Sequence, residues 1–411
     1  MKKIKLFVGA LALGLSLSAC DKKEEPKVES DKYSIEVVDI DGEKLLEREI
    51  IISSNTLLED LKTTTKVEGY DSQYGYSLTS IDGSVVDSNY FLAIYENGQL
   101  TSTGIDGLKI DKGDKFKFQV ECWNTVSSEY GGALDETDVL VDKIIYSYAK
   151  NQMKEYLGKT KDYTANGGWD NVPFGAADYW SFMGLNLMAE NGYDKNLFNS
   201  TSVPTTLKAE LEAYDVSKLT GAQFGKYYYA AKALGVDLNA KFKGAYQAYL
   251  NNLPATYDAF KEYEYPFTLG ISKKLNVTSA NFNSLVNTTY RASTEYGIDG
   301  LAWQLASLAQ FKDLNLNELS KFETKDYGNA VSQALALVPF AALGADPRDG
   351  AYEKDGKDLV EILIEKYYDS TNNIIKYNDT ELTNTNTPQI YTYLMAYKVA
   401  RDSGNKAFIF A

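Results

Sequence analysis

Residues 330–401 constrain the fold more than any other stretch, because they spell out a unit that cannot stand alone. Ala330 to Leu343 is apolar and rich in small residues, which predicts a helix with no polar face. The turn Gly344-Ala345-Asp346-Pro347-Arg348-Asp349-Gly350 follows. Gly356 to Tyr368 then predicts an amphipathic helix, with Leu359, Ile362, Leu363 and Lys366 near helical spacing. A polar loop leads to a third helical segment, Thr387 to Tyr397. One such unit cannot bury its own faces, so neighbours of the same kind are required.

Those neighbours are present upstream. Apolar segments recur at Asp178 to Ala189, Phe224 to Leu234, Tyr265 to Leu275 and Ile298 to Leu308, ahead of Ala330 to Leu343 and Pro388 to Val399. Each is preceded by a more amphipathic segment, the first being Thr137 to Tyr156. Leu234-Gly235-Val236-Asp237 and Leu343-Gly344-Ala345-Asp346 echo one another after an apolar helix, where Gly is the stop signal. Leu275-Asn276-Val277 is a blurred version. Six inner and six outer helices predict an α/α6 toroid over residues 136–411.

A different grammar precedes it. Tyr33 to Asp39 alternates like a strand, and Asp41-Gly42 is a hairpin turn. Glu49 to Ile52 reads as the returning strand, and Asn55 to Leu61 as a short capped helix. Tyr90 to Tyr95 and Lys115 to Val120 supply further strands. Residues 33–125 therefore predict a small mixed α+β domain, joined to the toroid by a Gly131-Gly132 linker. The fold class is multidomain: a small mixed α+β module followed by an α/α6 toroid.

Residues 1–20 carry Lys2, Lys3 and Lys5, then an apolar run from Leu6 to Leu17, then Ser18-Ala19-Cys20. This order resembles a bacterial lipoprotein signal peptide with its lipobox. The resemblance implies cleavage before Cys20, lipidation of that residue, and an extracytoplasmic chain anchored to the bacterial membrane. Residues 21–32 are charged and read as a flexible tether. With Cys20 acylated, Cys122 has no internal partner and is expected as a small buried hydrophobe.

Composition removes several chemistries. The formal net charge of −15 argues against nucleic acid as a partner, since a phosphate backbone needs a basic footprint. Histidine is absent, which excludes Ser-His-Asp and Cys-His catalysis and His-ligated zinc. The 32 tyrosines offer flat apolar area with a polar tip, suited to carbohydrate, corrinoid or protein surfaces.

The succession strand, Thr56-Leu57-Leu58, strand, Tyr95-Glu96-Asn97-Gly98, Gly104-Ile105, Ile110-Asp111-Lys112-Gly113-Asp114, strand resembles the small β-rich C-terminal module of transcobalamin and intrinsic factor. Asn166-Gly167-Gly168-Trp169, Asp346-Pro347-Arg348-Asp349-Gly350 and Pro388-Gln389-Ile390-Tyr391 resemble turns and helix starts of the prenyltransferase and squalene-cyclase repeat superfamily. That superfamily includes the helical domain of the cobalamin carriers, which place it before the small module rather than after. The enzymes of the superfamily need Asp-x-Asp-Asp, Asp-Asp-x-x-Asp or an Asp/Cys/His zinc site, and none occurs in the toroid. The resemblance implies a binding protein with no covalent cofactor, holding cobalamin or a related corrinoid between toroid and small domain and delivering it to a membrane transporter.

The ligand residues expected at inner-helix starts are Trp169, Tyr179 and Trp180, then Gln223 and Tyr227, then Tyr265, then Asp299 and Trp303, then Gln333, then Gln389 and Tyr391. Tyr95 and Asn97 are expected from the small domain. Two other readings use the same surface. One is an adhesion or glycan-binding module. The other is a carboxylate-dependent polysaccharide-degrading enzyme drawing on Asp178, Asp299 or Glu264. The anchor is tested directly: Cys20→Ser is expected to move the chain from the membrane fraction to the soluble fraction and to abolish incorporation of labelled fatty acid.

Overall fold

The computed structural model describes residues 31–73, 75–84, 86, 89–122, 134–153, 179–193, 205–254, 264–287, 297–378 and 387–410. A small β-rich region comes first and a helical region follows. In the first, β1 (Lys32–Val38), β2 (Lys44–Ile51), β5 (Tyr90–Glu96), β6 (Gln99–Leu100) and β7 (Lys115–Cys122) form one sheet in the order β2-β1-β7-β5-β6. Only β1 and β7 run parallel, so the sheet is mixed. Alternation fixes its register: Tyr33, Ile35 and Val37 face the same core as Phe116, Phe118, Val120 and Cys122. Helix α1 (Leu57–Thr64) closes that core with Leu57 and Leu61, and its Thr56 cap accepts from the Glu59 amide. The free thiol of Cys122 is buried, as expected. A second hairpin, β3 (Val67–Ser72) with β4 (Gly75–Ile81), was not legible as strands because its residues are mostly exposed or half-buried and carry no period.

The helical region opens with α2 (Glu136–Ser147), which continues as a π-helical turn from Tyr148 to Gln152. Inner helices are α3 (Tyr179–Glu190), α5 (Ala222–Ala233), α7 (Tyr265–Leu275), α9 (Ile298–Leu308), the pair α10 (Ala330–Leu335) and α11 (Val338–Leu343), and α13 (Thr387–Ser403). Between them lie α4 (Thr205–Ala213), α6 (Ala240–Asn251), α8 (Ala280–Asn287), a 3-10 turn at Leu316–Lys321 and α12 (Leu359–Tyr367). Each inner helix packs on the next, and α13 packs back on α3, so the series closes. The stretch expected as one helix from Ala330 to Leu343 is two, because Pro339 in the first turn of α11 cannot continue the ladder of α10. Its end is as expected: Gly344 takes φ +73, a left-handed cap, and Asn276 does the same after α7. Helix α12 starts with a full capping box between Asp358 and Glu361.

The two regions share a seam along α2. On the small-domain side, the Tyr90 hydroxyl donates to Asp142 Oδ2 at 2.9 Å. Further along, Lys150 Nζ reaches Asp39 Oδ2 at 2.7 Å, Asp41 Oδ1 at 3.1 Å and Glu43 Oε2 at 3.0 Å in the β1–β2 turn. On the other side, α13 supplies Lys398 and Arg401. Lys398 Nζ lies 3.1 Å from Asp142 and 2.8 Å from Asp402, with Lys398 and Asp142 fully buried. Arg401 Nη2 holds both Asp142 oxygens at 2.8 and 2.9 Å, and Nη1 lies 3.3 Å from Asp138. Arg348 clasps Asp135 with two bonds of 2.7 and 2.6 Å and also meets Asp138 and Asp358. Asp346 to Gly350 was read as turn chemistry, and Asp346 Oδ1 does accept from the Arg348 amide. The side chain of Arg348 adds a role invisible in sequence.

Removing one cation from such a cluster leaves buried carboxylate charge without full compensation. Lys398→Met is expected to lower stability by about 3 kcal/mol, read as a shift in the urea midpoint of helical circular dichroism. The same change at Lys226, whose ammonium stands over the Tyr179 ring, serves as the control and is expected to cost well under half as much.

Candidate functional site

The inner helices begin at one end of the closed series, and their first turns converge there. Trp180 is the centre of the cluster. Its ring meets Tyr179 at 5.1 Å, Phe267 at 6.0 Å, Tyr393 at 5.4 Å and Phe410 at 6.4 Å between centroids. Edge-to-face and tilted pairs dominate, the geometry that ring quadrupoles favour. Gly225 lets Phe267 in: an added Cβ would sit 2.8 Å from the ring. Lys226 Nζ stands 5.2 Å over the Tyr179 face. The Gln389 amide donates to the Tyr393 hydroxyl at 3.2 Å, and Trp303 also faces that hydroxyl. Burial pushes the Tyr393 phenol well above its ordinary pKa, so it stays neutral.

Among the described residues, Asp299 supplies the carboxyl of this cluster. It sits in the first turn of α9, where the helix dipole favours a negative charge. Burial nevertheless wins and raises its pKa, with the Ser332 hydroxyl, 3.1 Å from Oδ2, opposing the rise. Its Oδ1 is buried without a hydrogen-bond partner. Neutralising the carboxyl lowers the cost of that burial.

The structure thus brings together Tyr179, Trp180, Asp299, Trp303 and Gln389 out of the residues singled out in the sequence, and adds Phe267, Ser332 and Tyr393. The others go elsewhere. Tyr227 is buried between layers, its hydroxyl donating to the Leu211 carbonyl and its ring stacked on Phe242. Tyr265 is buried and points its hydroxyl to the Leu285 carbonyl. Tyr391 stacks on Tyr148 at 3.9 Å and accepts from the Ile375 amide. Gln333 is fully buried, bridging the Tyr327 amide and the Leu359 carbonyl. Gln223 caps its own helix through Thr220. The reason is periodicity: the expectation fixed which end of a helix a residue occupies, but the side of the helix decides whether it faces the axis or the outer layer.

Tyr95 and Asn97 lie within the small sheet. Tyr95 donates to Glu121 on the neighbouring strand, and Asn97 bonds Asp114 and the Lys115 amide at a sheet turn. The small domain reaches the helical region through Tyr90, which bonds Asp142 on α2, and through Asp39, Asp41 and Glu43, which pair with Lys150 in the π-helical turn after it. Glu264 lies with its carboxylate against Gly221, at the positive end of α5. Trp169, Asp178 and Cys20 lie outside the described residues. Among the described residues no group of three or more His, Cys, Asp or Glu side chains is placed to hold a metal ion, and no helix is long and apolar enough to cross a membrane.

Residues 54–121 match a family described as DUF4430, a domain of unknown function. That span runs from the start of α1 to the end of β7, within the small β-rich region. Comparison with curated proteins gives no match. Among solved structures, the chain is similar to one from Ruminococcus gnavus described as "a putative metal binding protein", at 21% identity and a TM-score of 0.22, covering 23% of this chain and 98% of that one. These matches include no cobalamin carrier and no toroid family.

The raised pKa of Asp299 gives a signed prediction. The native state binds this proton more tightly than the unfolded chain does, so the carboxyl costs stability above its folded pKa. The cost shrinks as pH falls and is gone below the unfolded value, about 3.9. Asp299→Asn keeps an acceptor for Ser332 and is expected to raise the melting temperature at pH 7 and to leave it unchanged near pH 3.

Proposed function

We propose that this chain is a lipid-anchored extracytoplasmic binding protein in which an α/α toroid takes an uncharged, flat ligand at its mouth. One observation carries the reading: Tyr179, Trp180, Trp303, Asp299 and Gln389, from three inner helices, meet at one end of the closed series. Aromatic faces beside a buried carboxyl and an amide favour a ligand that stacks and exchanges a few hydrogen bonds. A corrinoid has such a ring, and uptake through a membrane transporter is the corresponding role. The contacts of the small domain with α2 support a site built by the helical region alone, not one shared with Tyr95 and Asn97.

A neutral glycan is the second reading, favoured by one feature: a carboxyl and an amide beside partly exposed aromatic rings is the pattern that stacks a sugar and bonds its hydroxyls. Hydrolysis would need a second carboxylate facing Asp299; Glu264, one candidate, lies against Gly221.

Cyanocobalamin and a set of neutral oligosaccharides separate these readings. The chain starting after Cys20 is mixed with each and followed by co-elution on desalting and by Trp fluorescence. One class is expected to bind with a micromolar Kd, and Tyr179→Ala or Trp303→Ala to weaken it about tenfold, ~1.4 kcal/mol. Binding unchanged by both substitutions would sink the assignment of the site, and no binding of either class would sink the function.

A further inference from the structure

The axis of the closed helix series is occupied by the chain itself. After α13 the backbone turns at Gly404, φ +62, and residues 405–410 run back between the inner helices. The segment enters at the ends of the helices opposite the mouth: the Ala407 amide donates to the Ala341 carbonyl in the last turn of α11, at 2.9 Å. It then passes the middle of α7, where only a glycine fits, since a Cβ on Gly270 would lie 1.2 Å from the Phe410 carbonyl oxygen. It reaches the underside of the mouth, with the Phe410 ring 5.8 Å from Phe267 and 6.4 Å from Trp180. Ala407, Ile409 and Phe410 are 2, 2 and 1% exposed, so this is packed core and not a surface strand.

We infer that residues 407–410 are the floor of the binding site, turning what would be a channel into a shallow cup. The inference rests on the mouth being the site and adds a limit on what it accepts. Trp180 and Phe267 already contact Phe410 from above, so no length of axis is left for an extended chain. Ligands are gripped at the rim by a face or an edge. Cyclic, flat molecules fit this cup, whereas acyl or isoprenoid chains laid along the axis do not.

The test uses a dansyl-tagged undecanoyl chain as probe and trypsin cleavage after Lys406 as a ligand-free readout, on the chain starting after Cys20. The unsubstituted protein is expected to take up no probe saturably and to resist cleavage at Lys406. Gly270→Ala puts a methyl group where the Phe410 carbonyl lies, while Ala is the better helix former within α7. It is expected to expel the segment, speed cleavage at least tenfold, and bind the probe with energy transfer from Trp180. Phe410→Ala, which removes the floor without a clash, is expected to bind the probe too and decides the matter if Gly270→Ala loses its helical circular dichroism. Saturable probe uptake by the unsubstituted protein would overturn the inference. So would Gly270→Ala and Phe410→Ala both behaving like it. Neither readout uses a corrinoid or a glycan, so failure of those ligands to bind leaves this result standing on its own.

Discussion

Everything in this molecule hangs on the ion cluster along α2. Lys398 and Asp142 are wholly out of water, and a lone charge there would cost several kcal/mol. The cluster survives because each member has more than one partner: Asp142 is met by Lys398, Arg401 and the Tyr90 hydroxyl, and Asp402 by Lys398, Arg401 and the Tyr193 hydroxyl. Burial alone would raise the Asp402 carboxyl, yet Lys398 and Arg401 hold it below the usual range. Arg348 does the same to Asp135 by direct hydrogen bonds. Such a cluster adds little net stability over apolar packing, but it tolerates only one geometry. It therefore fixes how α13 meets α2, where the series closes, and how the small sheet meets both.

Closure at that seam is what makes the mouth possible. Helix α13 carries Lys398 and Arg401 near one end and Gln389 and Tyr393 near the other. The contact that seats the helix against α2 therefore also sets the height and rotation of two mouth residues. The aromatic cluster then excludes water from Asp299, and dehydration overrides the α9 dipole. A carboxyl with a raised pKa at a helix N-terminus is thus a product of packing several turns away.

The helix inventory was legible because burial on all sides leaves a plain mark, and Tyr265–Leu275 and Ile298–Leu308 were placed to the residue. Gly and Asn stops were legible for the same reason: a left-handed residue has few occupants. The β3–β4 hairpin was not, since its pattern is set by pairing alone. Nor was the split between Gln389, which reaches the mouth, and Tyr391 two residues on, which stacks on Tyr148. Two residues are about 200° of helix, so helix-end position without rotation assigns half the side chains to the wrong layer. Arg348 and residues 405–410 were missed for a third reason: long-range partners such as Asp135 and Gly270 leave no local signal.

These constraints bear on how a ligand would be held. Proteins that close two domains over a ligand need a joint that moves, and the joint here is bound by Lys150, Tyr90 and the Asp142 cluster along the whole of α2. A site open at the rim, closed below by Phe410 and unassisted by a moving lid must draw its affinity from preorganised surface. Edge-to-face packing around Trp180 supplies that, because the rings are already immobilised by one another and lose little entropy when a ligand stacks on them. The same rigidity would limit such a site to ligands whose shape matches the rim as it stands, which would make shape, more than charge, the property on which it selects.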